Sequence, residues 1–447
     1  MSNHATRSET DPHETLGLLR RGRPQDLRCL EPHRVADAAA QDPKGFVVAL
    51  RGLGKRCTPG VEMKPQDPAP VLAFLDKVAP LMRSPYVDYL RSTADFYQAI
   101  LAVDVAEALQ AGHIGALLGA VDARVQQGSP RHEGAAATIA RSNVQGKIHS
   151  VVDRAEAARH FEEARDRDQD GIIASLYSDL GLMTYFGEVD SSSTADEGGP
   201  QTVRSTIRKL GDRVPKNRSS IVVSVDPRFF RIYAPHLYFC AQQLPEIDMV
   251  ILLCATGGQA KELVSDGQRY LKALAGLNAT GYPDNLFHYF VPVPKSVPER
   301  RTFYAAARFF AAPVLLEHYQ NLYLMDADLV IDVHPGPFLK KVRDLPVAVP
   351  KTAGVSALSP WRRYMAGNIP MSQSVLETEF LDHVQNYLFQ GMVQRDSWML
   401  DQNALSYAVE RFNGDVANVD DYARPFRTMR FMSTWETNFR KAATRSD

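Results

Sequence analysis

The run Tyr323-Leu324-Met325-Asp326-Ala327-Asp328-Leu329-Val330-Ile331 places two carboxylates two residues apart, where an apolar strand-like stretch gives way to a turn. A buried strand delivers both acids to the edge of a sheet, and a second apolar piece leads away. Hard oxygen ligands in that position suit Mg²⁺ or Mn²⁺. An ion held there can grip a diphosphate and neutralise the charge that builds on it as a leaving group. The plainer reading is that Asp326 or Asp328 caps the next element or closes an Asx-turn. Two acids flanking one residue also occur often by chance.

The elements that must position these acids are legible from Ser219 onward. Ile221–Val225 is a short β-branched run that stops at Asp226. Met249–Cys254, Leu286–Val291 and Leu322–Met325 follow, the last stopping at Asp326. Helical patterns lie between them: Tyr238–Gln243, then Phe303, Ala306, Ala307, Phe310 and Val314 on one face. Strands alternating with helices predict an α/β fold with a mostly parallel sheet covered on both faces. In such sheets ligands bind beyond the carboxyl ends of the strands. Two of the four runs end in an aspartate there.

Before this region the texture is helical. Val71, Phe74, Leu75 and Val78 fall at helical spacing, as do Tyr97, Ile100, Leu101, Val105 and Leu109, which predict one helix stopped by Gly112. No 34-residue repeat supports a tetratricopeptide-like array. We therefore expect a loosely ordered lead-in over 1–40 with one short helix, an α-helical domain over 41–189, a linker with a basic segment over 190–218, and the α/β domain over 219–447. Within Arg204–Arg218, six Lys or Arg stand against one Asp, which reads as a solvated helix.

Composition narrows the function classes. A chain of 447 residues suggests roughly three domains at about 150 residues each. Lys plus Arg number 51 against 52 Asp plus Glu, a net charge of −1, which argues against a nucleic-acid partner. The four cysteines form no CxxC pair and read as reduced, idle thiols. Met1–Glu14 has no apolar core of a secretion signal, and the longest clean apolar run, Met249–Ala255, cannot span a bilayer. The expectation is a cytoplasmic protein with no transmembrane segment.

With its context, the acidic pair acquires a resemblance. A helix carrying Arg308-Phe309-Phe310 leads through His318-Tyr319-Gln320-Asn321 into Tyr323-Leu324-Met325-Asp326-Ala327-Asp328. This resembles the DxD-containing GT-A glycosyltransferases, and most of all the glycogenin and bacterial lipopolysaccharide glycosyltransferase group, with its "YLDADhhh" strand. Asp401-Gln402-Asn403-Ala404-Leu405 is similar to that group's downstream "DQxxLN" element. Val223-Ser224-Val225-Asp226 with Tyr233-Ala234-Pro235 looks like its first strand and nucleotide-side loop. The match covers residues 219 to 415.

The resemblance implies a GT-A-like sheet behind the helical N-terminal domain. It implies transfer of a sugar from a nucleotide-sugar donor, a UDP-sugar, to a glycan, lipid or protein acceptor with retention of configuration, and Mn²⁺ or Mg²⁺ as cofactor. Asp328 would ligate the metal directly and Asp326 would contact the metal or the ribose. Asp226 would lie beside the base, and Arg308 would approach the phosphates or fix the acidic loop. Asp401 and Gln402 would face the transferred sugar or the acceptor. Each has a structural counterpart: Arg308 as a surface cation on an amphipathic helix, Asp401 as an N-cap.

The sequence departs from the group twice. Where "FNAG" is expected it has Tyr364-Met365-Ala366-Gly367-Asn368, so Met365 replaces the asparagine and Asn368 could substitute for it. No histidine follows Asp401, where the group supplies a further metal ligand; the tail offers Trp435, Glu436, Asn438, Arg440 and Lys441. These departures leave a second expectation open, a non-catalytic GT-A-like binding module with a helical protein-interaction domain. A metal-dependent nucleotidyltransferase is a third. Asp166–Gly171 begins like a Ca²⁺-binding EF-hand loop but has Tyr177 where a bidentate Glu belongs, so a polar turn between helices is expected. Thr256-Gly257-Gly258 reads as a strand-ending turn, and His288 and His318 as structural.

Overall fold

The computed structural model describes residues 11–57, 67–177, 179–189, 199–255, 283–298, 300–329, 334–394 and 399–422, with a few single positions between them. The first part of the expected linker, 190–198, the turn at 256–258 and the tail from 423 lie outside the described residues. The chain divides into two compact units, Met1–Glu188 with Thr352–Arg363, and Val189–Lys351 with Tyr364–Asp447.

The first unit is helical. The expected loose lead-in is instead folded from residue 12 onward, as helices Pro12–Arg21, Pro24–Cys29 and Pro32–Gln41, followed by Pro43–Cys57. Each of these helices opens on a proline at the first helical position, where the missing N–H has no intrahelical partner to lose. Leu19, Val35 and Leu53 from these helices are fully buried.

The single helix expected through Leu109 is two, Pro85–Leu101 and Val105–Ala111. Asp104 caps the second by accepting from the Glu107 N–H, and Gly112, at φ 64°, ends it. Asp168 accepts from the N–H groups of Ile172 and Ile173, at 2.6 and 3.0 Å, and so closes the polar turn between helices Arg154–Arg167 and Ile172–Leu176.

Segment 352–363, expected in the α/β domain, belongs to the helical unit. Trp361 is its anchor: fully buried, tilted against Phe161, with the Lys147 ammonium 5.4 Å from its ring. Gly181 makes room for the indole, since a Cβ there would lie 2.1 Å from Trp361 Cγ. Beneath it the buried Lys147 pairs with Asp179 at 2.5 Å, and Tyr89 also donates to Asp179.

The second unit is a mixed α/β layer structure. Its six-stranded sheet has the order β1 (Arg208–Leu210), β4 (Leu286–Pro292), β3 (Asp248–Ala255), β2 (Ser219–Val225), β5 (Asn321–Met325), β7 (Asn368–Ser372). The four central strands are parallel and the two outer ones antiparallel. All four apolar runs are central strands, and β3 is buried at every position.

The edge strands carry no such run. Arg208–Leu210 lies inside the basic segment expected as a solvated helix. That segment instead forms a helix over Gly199–Thr206 and then β1, with Arg213 donating to the carbonyls of Pro283 and Leu286. A small parallel pair, β6 (Ala348–Val349) and β8 (Ala417–Asn418), completes the strands of the described residues.

The connection order decides where a ligand can enter. From β2 the chain moves to β3 and β4 on one side, then returns to place β5 on the other. β2 and β5 therefore flank the topological switch point, where helices on opposite faces leave a crevice at the carboxyl ends. Asp226 follows β2 and Asp326 follows β5.

Candidate functional site

At the carboxyl end of β5, Met325 pairs with Val223 of β2 on one side and Asn368 of β7 on the other. The Asp326 N–H donates to Gly367 O at 3.0 Å, and Leu329 N–H returns to Asp326 O at 3.1 Å. The acidic pair thus sits on a tight turn tied to the neighbouring strand. Close approach of Gly367 is what permits this. A Cβ there would lie 2.2 Å from Asp326 Oδ2. The Ala366-Gly367 dipeptide, which matches the end of the expected "FNAG", is thereby brought against the acids.

Arg308 is the organising cation. It lies on helix Arg300–Leu316 and is 1% exposed, so it is not a surface charge on an amphipathic face. Its Nη1 is 2.6 Å from Asp326 Oδ1, and its Nη2 is 3.6 Å from Asp401 Oδ2. Nη2 also donates to Ala366 O at 3.1 Å. One buried guanidinium therefore joins the β5 turn, the turn that leads into β7, and helix Leu400–Arg411. Such planar, multi-donor positioning suits Arg and not Lys.

The acids differ in environment. The Asp326 side chain is 42% exposed while Asp401 is 19% exposed. Burial, with the Asp326 charge beside it, pushes Asp328 up to about 6 despite Arg308's opposing pull. Burial also raises Asp401, and its charge partner Arg308 does not cancel the effect. Asp401 is not an N-cap. The capping position is Met399, in a left-handed conformation at φ 75°, and Asp401 lies in the first turn, its Oδ1 accepting from the Gln402 N–H at 3.0 Å.

Asp226 does cap a helix: its carboxylate accepts from the Phe229 N–H at 2.6 Å, with Pro227 opening Pro227–Gln243. The structure thus brings Arg308, Asp326 and Asp401 into direct contact and puts Asp328 within their field. It places Asp226 at the same sheet edge on the adjacent strand. Gln402 follows Asp401 and is partly exposed.

Two buried side chains at this site keep polar atoms without partners. Asn368 is fully buried, and neither its Oδ1 nor its Nδ2 has a hydrogen-bond partner among the described residues. Arg308 Nε is likewise unpartnered. Native proteins rarely leave such atoms unsatisfied without a reason. Conversely, His288 on β4 is a core residue: burial pulls it down to about 4, so it is neutral and packs edge-on to Phe230. An open recess of about 570 Å³, lined by Lys216, Asn217, Gln242, Pro245 and Asp284, lies at the amino ends of the strands. It is at the wrong edge of the sheet for a switch-point ligand.

No protein-family model and no curated protein matches the chain. Among solved structures, the apo structure of the WbbM bifunctional glycosyltransferase aligns at 17% identity and TM-score 0.29, covering 47% of this chain and 39% of that one. A likeness this slight carries no argument about function, and the chain spans about two fifths of that protein's length. Among the described residues, no helix is long and apolar enough to cross a membrane.

Proposed function

We propose that the unit built on the six-stranded sheet is a metal-dependent glycosyltransferase domain. It moves a sugar from a nucleoside-diphosphate donor, a UDP-sugar, to a hydroxyl of a glycan, lipid or protein acceptor, with retention. One observation carries the reading: acids at the carboxyl ends of both strands that flank the switch point, one of them bound by a buried arginine that also reaches Asp401. The motif resemblance supplies the reaction class, and the sheet edge supplies the place.

The donor set fits Mg²⁺ or Mn²⁺. Asp328 offers a carboxylate that is ionised at neutral pH, and Asp326 keeps an exposed oxygen after its ion pair. When bound, such an ion supplies positive charge to the two phosphoryl groups of the donor. The chain's own residues do the rest. Arg308 holds both the Asp326 carboxylate and the Ala366 carbonyl. Asp226 and Pro227 start a helix at the β2 edge, and Met399 starts another, so two helix N-termini, the positive ends of their dipoles, lie on this side of the sheet. Asp401 and Gln402 belong to the second and are the sugar-facing candidates.

Turnover of a panel of nucleotide sugars with Mn²⁺ tests the reading. Asp328→Asn should reduce it by at least about a hundredfold. Tight, Mn²⁺-dependent nucleotide binding without turnover would favour the non-catalytic binding module instead. Absence of both sinks the site.

A further inference from the structure

We propose that the helical unit carries a separate transition-metal site, suited to Zn²⁺, formed by His149, Glu156 and His160. One ligand atom from each lies within 4.8 Å of the others. His149 is the last residue of helix Gly134–His149, and Glu156 and His160 are one turn apart on helix Arg154–Arg167. The site therefore staples the four-residue connection between two packed helices. Two imidazoles and one carboxylate are a borderline-soft donor set that matches zinc and leaves a fourth position for water.

Geometry favours a cation there. His160 Nε2 is 3.4 Å from Glu156 Oε1, about the edge of a tetrahedron of ligands around zinc at its usual bond lengths. The two imidazole rings are nearly parallel, with centroids 5.0 Å apart. A positive group already lies between the ligand atoms. Arg159 Nη2 is 2.6 Å from Glu156 Oε1 and 3.1 Å from His160 Nε2. The Arg159 side chain is 58% exposed and can leave for solvent, so a metal need only displace it.

The contact with Arg159 also requires an unprotonated Nε2 on His160, the form that ligates metal. The ring is buried, and its Nδ1 has no hydrogen-bond partner among the described residues.

Calorimetric titration of the full chain with Zn²⁺ alone, at neutral pH, tests this. The wild type should bind one equivalent that His149→Ala and Glu156→Gln each weaken at least about tenfold. Arg159→Ala should tighten it by removing the competing guanidinium, an effect that a structural role for these side chains does not produce. Asp328→Ala should leave that equivalent untouched, which separates it from any ion at the sheet edge. The site is disproved if the wild type takes up no zinc, or if stoichiometry and affinity are unchanged in His149→Ala and Glu156→Gln.

Discussion

At the scale of single residues, Asp328 and Gly367 yield opposite signatures in stability. The Asp328 carboxyl is pushed up from 3.8 to about 6 in the folded chain, while in the unfolded chain it titrates near about 3.9. The folded state therefore holds this proton more tightly. Stability is lost as pH rises from about 4 to about 6, and the full penalty stands above that. Two pKa units correspond to about 3 kcal/mol; partial exposure reduces this to about 1–2 kcal/mol. Metal-free Asp328→Asn should thus melt higher than wild type at pH 7 and equally at pH 4. In the wild type, Mn²⁺ affinity should fall about tenfold per pH unit below 6, because the ligand must be deprotonated. A melting difference that is flat with pH contradicts the shifted carboxyl. Gly367→Ala probes geometry instead. Its Cβ would meet Asp326 Oδ2 at 2.2 Å and Cγ at 2.9 Å, so the carboxylate must shift off its ion pair with the buried Arg308. Stability should fall by about 1–3 kcal/mol, because a buried guanidinium loses part of its pairing, and Mn²⁺-dependent nucleotide affinity, read by calorimetry, should drop about tenfold.

At the scale of elements, Trp361 shows how a short segment can belong to a core distant in sequence. Replacing it with alanine empties a fully buried site bounded by Phe161, Gly181 and the Lys147 ammonium. The expected cost is about 3–5 kcal/mol, seen as faster hydrogen exchange in helices Gly134–His149 and Arg154–Arg167. What the sequence revealed and what it concealed follow the same physics. The parallel strands were legible because burial on both faces demands unbroken apolar runs, as in Met249–Cys254. Strands β1 and β7 were not: Arg208–Leu210 is basic and partly exposed, and Asn368–Ser372, though buried throughout, is broken by Pro370 and bounded by Asn368 and Ser372. The N-terminal helices were hidden by prolines, whose effect depends on a position that the sequence alone leaves open. At the site, two acids two residues apart are visible in any reading. The burial of Arg308 is not, because an arginine on an amphipathic helix is ordinarily at the surface, and only the fold brings Asp326 and Asp401 to it. Gly367 carried a signal in the "AG" that matches the end of the "FNAG" pattern, but its contact with Asp326 exists only once β7 lies beside β5.

At the scale of the whole molecule, the two units have separate cores but interleaved sequence. Residues 352–363 are enclosed by the chain of the sheet unit, yet they complete the helical one. The chain therefore cannot be cut cleanly at the 188/189 boundary. A fragment ending at residue 188 loses Trp361, the Leu358 carbonyl that accepts from Ser150 Oγ, and the Arg363 guanidinium bonded to Ser150. It also leaves the buried Lys147–Asp179 pair under an open cavity. Opening a buried ion pair to partial solvation, together with loss of the indole, should cost several kcal/mol, on the order of a small domain's whole stability. The fragment alone should melt at least about 10 °C below the corresponding transition of the full chain, since about 1 kcal/mol moves Tm by about 2–4 °C at this size. A synthetic peptide of residues 352–363 should recover part of that loss in a concentration-dependent way, as mass action requires of a ligand that binds only the native state. A fragment that melts with the full-chain transition, indifferent to the peptide, would mean that Trp361 merely covers a core already complete without it.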